Sequence, residues 1–381
     1  MKRVAIISSY AQSVISFRSE LVVKLISHDI LVDVYAPDFT SQTLRALKSL
    51  GANAISYPLK RTGTSFLSDI RALIVLYGHF RCAHYDQVFT YFLKPNIWGT
   101  LAAFLARVPQ RTLMIEGLGY LFTHLPDQKH QFKKLFLKQV VLCLYRIIFL
   151  LASKVIVLNP DDLEYLVSHC SLRPTRALLL GGIGVDIDFW RFSSSRPFPP
   201  IFIMVARLLR EKGVCEYLQA ASLVKSKYPD AKFLLLGSID SNPGSIAIAD
   251  LFPLMQSGVI TYLGHVDVLP HLSLSTVFVL PSYREGVPRS TQEALSVGLP
   301  VITTDVPGCR ETVIHGVNGF LVPPYDSNAL AHAMLSFCSN PNLAQTMGLA
   351  SRAIAKKSFN IKLVTDRLFS FAFSPLLISD N

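Results

Sequence analysis

The stretch from Val277 to Thr303 most constrains what this chain can fold into. An apolar run, Val277–Leu280, ends at Pro281 and a polar loop. A helical pattern then runs from Ser290 to Val297, stops at Gly298 and Pro300, and gives way to a second apolar run from Val301. Strand, loop, helix and strand in that order form a βαβ unit, whose strands lie parallel and are covered by helices. Short apolar runs separated by helical patterns recur along most of the chain, so the expected class is α/β with doubly wound parallel sheets. At 381 residues the chain exceeds a typical single α/β domain and fits two.

In such units the loop after a strand and the start of the next helix form an anion site, because backbone N–H groups and the helix dipole face the ligand. The amides of Arg289, Ser290 and Thr291 are placed for a diphosphate. Two carboxylates frame the loop: Glu285, before Gly286, and Glu293, in what reads as the first turn of the helix. Phosphate repels a carboxylate, so these two suit uncharged hydroxyls on a ribose or a sugar ring. That is the profile of a nucleotide-sugar site. Glu293 also fits a capping box with Ser290, and Glu285 also reads as a solvated loop carboxylate, although Gly286 favours close approach by a ligand.

With Leu280–Gly286, Glu293-Ala294, Gly298–Ile302 and Gly316–Val322, the pair Glu285 and Glu293 resembles the E-x7-E series of the retaining glycosyltransferases of family 4. The resemblance implies the GT-B fold: two Rossmann-like domains facing across a cleft, with metal-independent, cofactor-free transfer of a hexose or N-acetylhexosamine from a nucleotide diphosphate sugar, expected to be UDP-linked. Arg207 and Lys212-Gly213 match the family's R-x4-KG element, and two cations after a strand can neutralise a departing diphosphate without Mg²⁺. Gly264 falls where the family's nucleobase lies. Glu293 would bind the ribose and Glu285 the donor sugar. Phe17-Arg18, Lys94 with Asn96, Glu116–Gly119 and Asp240–Pro243 look most like bacterial members that extend undecaprenyl-diphosphate-linked sugars. Arg18, Lys94, Asn96, Glu116 and Gly117 are therefore the expected acceptor-side residues. Two departures stand out: Ser8–Ser16 contains no glycine, and Glu116 stands near where many relatives carry a histidine.

In chain order, residues 1–183 form the expected first, acceptor-binding domain. Its strands are read at Val4–Ser8, Ile30–Tyr35, Ala54–Tyr57, Gln87–Thr90, Thr112–Ile115, Lys154–Leu158 and Ala177–Leu180. Arg18 reads as the first turn of a helix from Phe17 to Ile26, where a cation opposes the dipole and a bound anion would relieve it. Lys94 and Asn96 read as a helix start, and Glu116 lies beside two glycines; ordinary turn chemistry is the plain alternative for both loops. Residues 184–200 read as a linker. Its Asp186-Ile187-Asp188 resembles the family's hinge rather than a metal-binding D-x-D, so no metal site is expected. Residues 201–357 form the second, nucleotide-sugar domain, with Asp326–Lys357 helical, and residues 358–381 a terminal helix crossing back to the first domain, with a tail.

Charge separates the halves. Residues 1–183 hold 21 Lys or Arg against 11 Asp or Glu, a net of +10, while residues 184–381 net +1. The anionic partner belongs to the first half. Lys129, Lys133, Lys134 and Lys138 interleave there with Phe132 and Phe136, which suits either a core helix with a solvated lysine face or an interfacial helix on an anionic membrane. The six scattered cysteines suit a reducing compartment. No signal peptide is read at the start, so the expected location is cytoplasmic, peripheral on the inner membrane face. Two rival functions are a sugar-nucleotide 2-epimerase of the same fold, which lacks the E-x7-E series, and a basic binding protein. No nucleic-acid module is recognisable, so no nucleic-acid partner is expected.

Overall fold

The computed structural model describes residues 1–60, 66–123, 131–194, 196–240 and 244–377. It divides into two compact units. The first holds Met1–Gly117, the chain from the start of its fifth helix to Ile183, and the C-terminal helix from Lys362; the second holds Gly184–Ile361 together with Leu118–Thr123.

The first unit runs β1 (Arg3–Ile7), α1 (Ala11–Ile26), β2 (Leu31–Ala36), α2 (Ser41–Ser49), β3 (Asn53–Ser56), α3 (Phe66–Ala83), β4 (Gln87–Tyr91), α4 (Thr100–Leu105), β5 (Gln110–Ile115), α5 (Gln131–Leu151), β6 (Lys154–Val157), α6 (Pro160–Cys170) and β7 (Ala177–Leu179). Its sheet has the order β3-β2-β1-β4-β5-β6-β7, every pair parallel. Strands such as β4 are buried at every residue, because helices cover both faces of a parallel sheet.

The second unit runs β8 (Ile201–Val205), α7 (Val214–Lys227), β9 (Lys232–Leu236), α8 (Ile248–Gln256), β10 (Thr261–Gly264), α9 (Val268–Ser273), β11 (Val277–Leu280), α10 (Arg289–Val297), β12 (Val301–Thr304), β13 (Gly319–Val322), α11 (Ser327–Ser339) and α12 (Pro341–Ser358). Its parallel sheet has the order β10-β9-β8-β11-β12-β13. Strand order reverses between β1 and β4 in one unit and between β8 and β11 in the other. Doubly wound sheets bind ligands at such reversals, beyond the strand carboxyl ends.

The final helix, α13 (Ile361–Leu377), lies with the first unit from Lys362 onward. Gln87 on the central strand donates to Ala372 O (3.1 Å), Lys154 donates to Phe371 O, and Phe373 packs on Phe89 with ring centroids 5.9 Å apart.

Several sequence expectations are corrected. The helix containing Arg18 begins at Ala11, six residues before Phe17, so Arg18 is mid-helix and opposes no terminal dipole. The expected helix Asp326–Lys357 is two helices broken at Asn340, and β13 lies in the Gly316–Val322 motif that was read only as a signature. The segment read as the linker, residues 184–200, is bonded to α10: Gly184 N donates to Gln292 Oε1 (2.9 Å), Ser193 N to Val297 O (3.0 Å), and Ser296 Oγ to Trp190 O (2.8 Å). Arg352 reinforces this with Nη1 bonds to Ser296 O and Trp190 O. Asp186 Oδ1 accepts from the amides of Asp188 and Phe189, an Asx turn that uses the carboxylate locally.

Candidate functional site

In the second unit the predicted residues gather at the reversal between β8 and β11. Arg207 and Lys212 follow β8, and Glu285 follows β11. The 281–288 loop is held from two sides by backbone that tolerates no side chain. A Cβ on Gly213 (φ 74°) would stand 2.0 Å from Pro281 O, and one on Gly308 (φ 84°) would stand 2.1 Å from Glu285 O. Glycine at both positions is thus a packing requirement of this loop. Glu285 N donates to Pro307 O (3.0 Å), fixing the loop against the segment after β12.

The charged groups are already matched in pairs. Lys212 Nζ lies 2.5 Å from Glu285 Oε1, which also faces Ser282 Oγ at 2.8 Å. Arg207 Nη1 lies 2.5 Å from Asp240 Oδ2, a carboxylate that sequence reading placed only within a signature. The neighbouring Ser241–Pro243 of that signature lie outside the described residues. Arg289 Nε lies 2.8 Å from Glu293 Oε1, four residues on. Glu293 is therefore the fifth residue of α10 rather than part of its first turn, and it forms no capping box; the N-cap is Pro288, without a side-chain cap bond. Burial pushes the Glu293 carboxyl up and Arg289 opposes that shift.

The first i→i−4 bond of α10 runs from Gln292 N to Pro288 O (3.3 Å), so the amides of Arg289, Ser290 and Thr291 precede the ladder. Gly264 closes β10 at φ 72°, where a Cβ would meet open space, and its carbonyl accepts from Gly237 N (2.8 Å). Three cations, three carboxylates and a helix N-terminus thus converge at the strand ends, a set able to bind a diphosphate and neighbouring hydroxyls.

In the first unit the acceptor-side candidates form two clusters. Arg18, 3 % exposed, bonds Glu116 at the carboxyl end of β5 and lies over the Tyr91 ring, 5.1 Å from its centroid. Tyr91 OH continues to Ser13 Oγ and on to Ser8 Oγ, each step 2.9 Å, a buried chain that sequence reading did not find. Burial raises the Glu116 carboxyl and Arg18 opposes it. Gly117 follows at φ 119°. Lys94 precedes a π-helical turn, Pro95–Gly99, and pairs with Asp69 at 2.9 Å. Asn96 faces inward: its Oδ1 accepts from Thr90 (2.7 Å) and its Nδ2 donates to Met114 O (2.8 Å).

On α5 the basic segment has two characters. Val141, Leu142, Tyr145, Ile148 and Phe149 are buried, whereas Phe132 is 91 % and Phe136 72 % exposed, with Val140, Ile147 and Leu150 continuing that exposed apolar stripe. Lys138 lies 5.3 Å from the Tyr165 ring centroid. Lys129 and the side chain of Lys133 lie outside the described residues. Among the described residues no helix is long and apolar enough to cross a membrane.

Residues 186–353 match the family model described as glycosyl transferases group 1. A Campylobacter jejuni N,N'-diacetylbacillosaminyl-diphospho-undecaprenol alpha-1,3-N-acetylgalactosaminyltransferase is 28% identical over 332 residues, covering 83% of this chain and 84% of its own. An Escherichia coli UDP-Gal:alpha-D-GlcNAc-diphosphoundecaprenol alpha-1,3-galactosyltransferase is 26% identical over 80% of this chain and 79% of its own. Among solved structures, sucrose-phosphate synthase from Thermosynechococcus elongatus superposes with a TM-score of 0.78 at 22% identity, covering 99% of both chains. The two Rossmann-like units are those of the GT-B fold, and the chain, with a glycosyl transferases group 1 domain over residues 186–353, is a glycosyltransferase.

Proposed function

We propose that the chain is a retaining, metal-independent transferase that moves a hexose or N-acetylhexosamine from a UDP-linked donor to a saccharide carried on undecaprenyl diphosphate, in assembly of a surface polysaccharide or glycoprotein glycan. The observation that carries this reading is the Lys212–Glu285 pair beside the start of α10: a diphosphate-binding cation held against a hydroxyl-binding carboxylate at the strand reversal. Arg207, Lys212 and the amides of Ser290 and Thr291 stabilise the leaving diphosphate. Glu293 accepts from the ribose, Glu285 from the donor sugar, and Gly264 leaves open space for the base. The acceptor hydroxyl attacks from the leaving-group side, so no carboxylate nucleophile is required.

The names of the relatives support the lipid-linked acceptor, and that of the E. coli relative supports UDP. The first unit, with its net +10, takes the acceptor. Glu116 and Arg18 address the acceptor saccharide and diphosphate, Gly117 and Lys94 border that site, and Asn96 holds β4 to β5 behind it. The lysines and exposed phenylalanines of α5 make the protein peripheral on the inner face of the membrane. Incubation of UDP-sugars with synthetic undecaprenyl-diphosphate saccharides, read by mass spectrometry, tests this. Elongated product with the donor's anomeric configuration is expected; no elongation with any acceptor, or epimerised donor without one, overturns it.

A further inference from the structure

The 281–288 loop carries Ser282 and Glu285 yet has no regular structure, so their placement depends on what the loop is tied to. On one side lies the segment that follows β8. Its Glu211 carbonyl accepts from Tyr283 N (2.9 Å) and from Ser282 Oγ (3.0 Å). Two side-chain rungs then cross from the same segment to the loop: Lys212 to Glu285 at 2.5 Å, and Glu216 to the phenol of Tyr283 at 2.7 Å. Lys212 and Glu216 are four residues apart, and Tyr283 and Glu285 are two apart, so the rungs brace one short stretch of loop at both ends.

The second rung belongs to no part of the function proposed above. Glu216 sits in the first turn of α7, with Oε2 buried and without a hydrogen-bond partner among the described residues, so the Tyr283 hydroxyl meets a carboxylate that has little else. A half-buried carboxylate whose second oxygen is shut off from solvent holds such a donor firmly. The Tyr283 ring packs on Tyr325, with centroids 4.3 Å apart at 50°. Tyr325 itself has φ 64°, a left-handed backbone that a bulky aromatic residue adopts only when its surroundings hold it. Tyr283 therefore ties together the segment after β8, the loop, and the turn leading into α11.

We propose that Tyr283, held by Glu216, is a positioning residue for the donor sugar: it sets the Glu285 carboxylate relative to the diphosphate cations without touching substrate itself. This rests on Glu285 being the sugar-hydroxyl acceptor. Because the nucleotide is held by Arg207, Glu293 and α10, loss of the rung affects the sugar half of the site and spares the nucleotide half.

The test compares Tyr283→Phe, Glu216→Ala, Glu216→Gln and Glu285→Gln with the parent. UDP affinity is measured by calorimetry, and kcat and donor KM with UDP-galactose and UDP-N-acetylgalactosamine. Tyr283→Phe and Glu216→Ala, which remove the same rung from opposite ends, are each expected to lower kcat about tenfold while UDP affinity stays within about twofold. Glu216→Gln, whose amide oxygen still accepts from the phenol, is expected to lose less than about threefold. The proposal is overturned if the rung variants keep the parent kcat while Glu285→Gln is inactive, or if their UDP affinity falls in step with kcat, the result of a general loosening. Full activity in Glu285→Gln instead removes the reading of the site on which the proposal rests.

Discussion

Lys212 and Glu285, 73 residues apart in the chain, meet at 2.5 Å between the segments that follow β8 and β11. Each is the other's counter-ion. On the function proposed above, a diphosphate claiming Lys212 would leave Glu285 to turn its oxygens to sugar hydroxyls, and the Arg207–Asp240 and Arg289–Glu293 pairs would exchange in the same way.

On the proposed mechanism, removing either Arg207 or Lys212 would remove charge stabilisation of the leaving diphosphate in the transition state. Arg207→Ala and Lys212→Ala are each expected to lower kcat by about tenfold or more. Steady-state kinetics with and without EDTA check both halves of the assignment: full activity in either variant removes the site, and activity abolished by EDTA removes the metal-free mechanism.

Glu293 gives a pH dependence with a definite sign. Burial raises its carboxyl above the ordinary glutamate range of about 4.3, and Arg289 limits the rise. As pH falls through that raised value the carboxyl protonates and, if it binds the ribose as proposed, would cease to serve as that acceptor, so UDP binding should weaken at a pH above that of an ordinary glutamate. The effect on folding runs the other way. With the folded value raised, this group's contribution is full below the unfolded pKa and is lost as pH rises through the folded one. UDP titrations across pH are expected to show an acid limb that Glu293→Gln flattens; an unchanged limb in that variant would assign it to another group.

Gly308→Ala tests the loop's backbone support. The new Cβ would meet Glu285 O at 2.1 Å on a residue at φ 84°, so the loss of stability should exceed the ~1–2 kcal/mol of left-handed backbone alone. Urea denaturation measures it, and turnover should fall with it because the clash displaces Glu285.

The Arg18–Glu116 pair is buried, so breaking it from one side leaves a charge without compensation. Arg18→Leu should destabilise by about 3–5 kcal/mol, and adding Glu116→Leu should recover much of that loss. Denaturation of the single and double variants checks this. If the double variant regains stability but not acceptor affinity, the pair's acceptor role stands apart from its structural one.

Membrane association should depend on α5. Each lysine near an anionic surface contributes about 1 kcal/mol, so Lys133, Lys134 and Lys138 of α5 with Lys129, which precedes it in the sequence, would together supply roughly 4 kcal/mol, with Phe132 and Phe136 adding apolar burial. Flotation with anionic liposomes is expected to be salt-sensitive and lost when the four lysines become glutamine, while UDP affinity is unchanged. Parent-like flotation of that variant would place the contact elsewhere.

The strands were legible because a parallel sheet buried on both faces demands continuous apolar runs, and Ile201–Val205 and Val277–Leu280 are short runs of that kind bounded by turn residues. The loop-to-helix unit around Glu285 and Glu293 was legible because its Pro and Gly punctuation and its carboxylate spacing are local. Tertiary structure alone decided where helix α1 begins, since Gln12, Ser13 and Ser16 break its apolar period, and Ser13 is buried with its hydroxyl donating to Tyr10 O and lying in hydrogen-bond contact with Ser8 and Tyr91. It also decided which charge meets which. Asp240 finding Arg207, Glu216 finding Tyr283, and Gln292 binding the linker at Gly184 are pairings across 33, 67 and 108 residues. No local pattern encodes such distances; they follow from which strand ends the sheet order brings side by side.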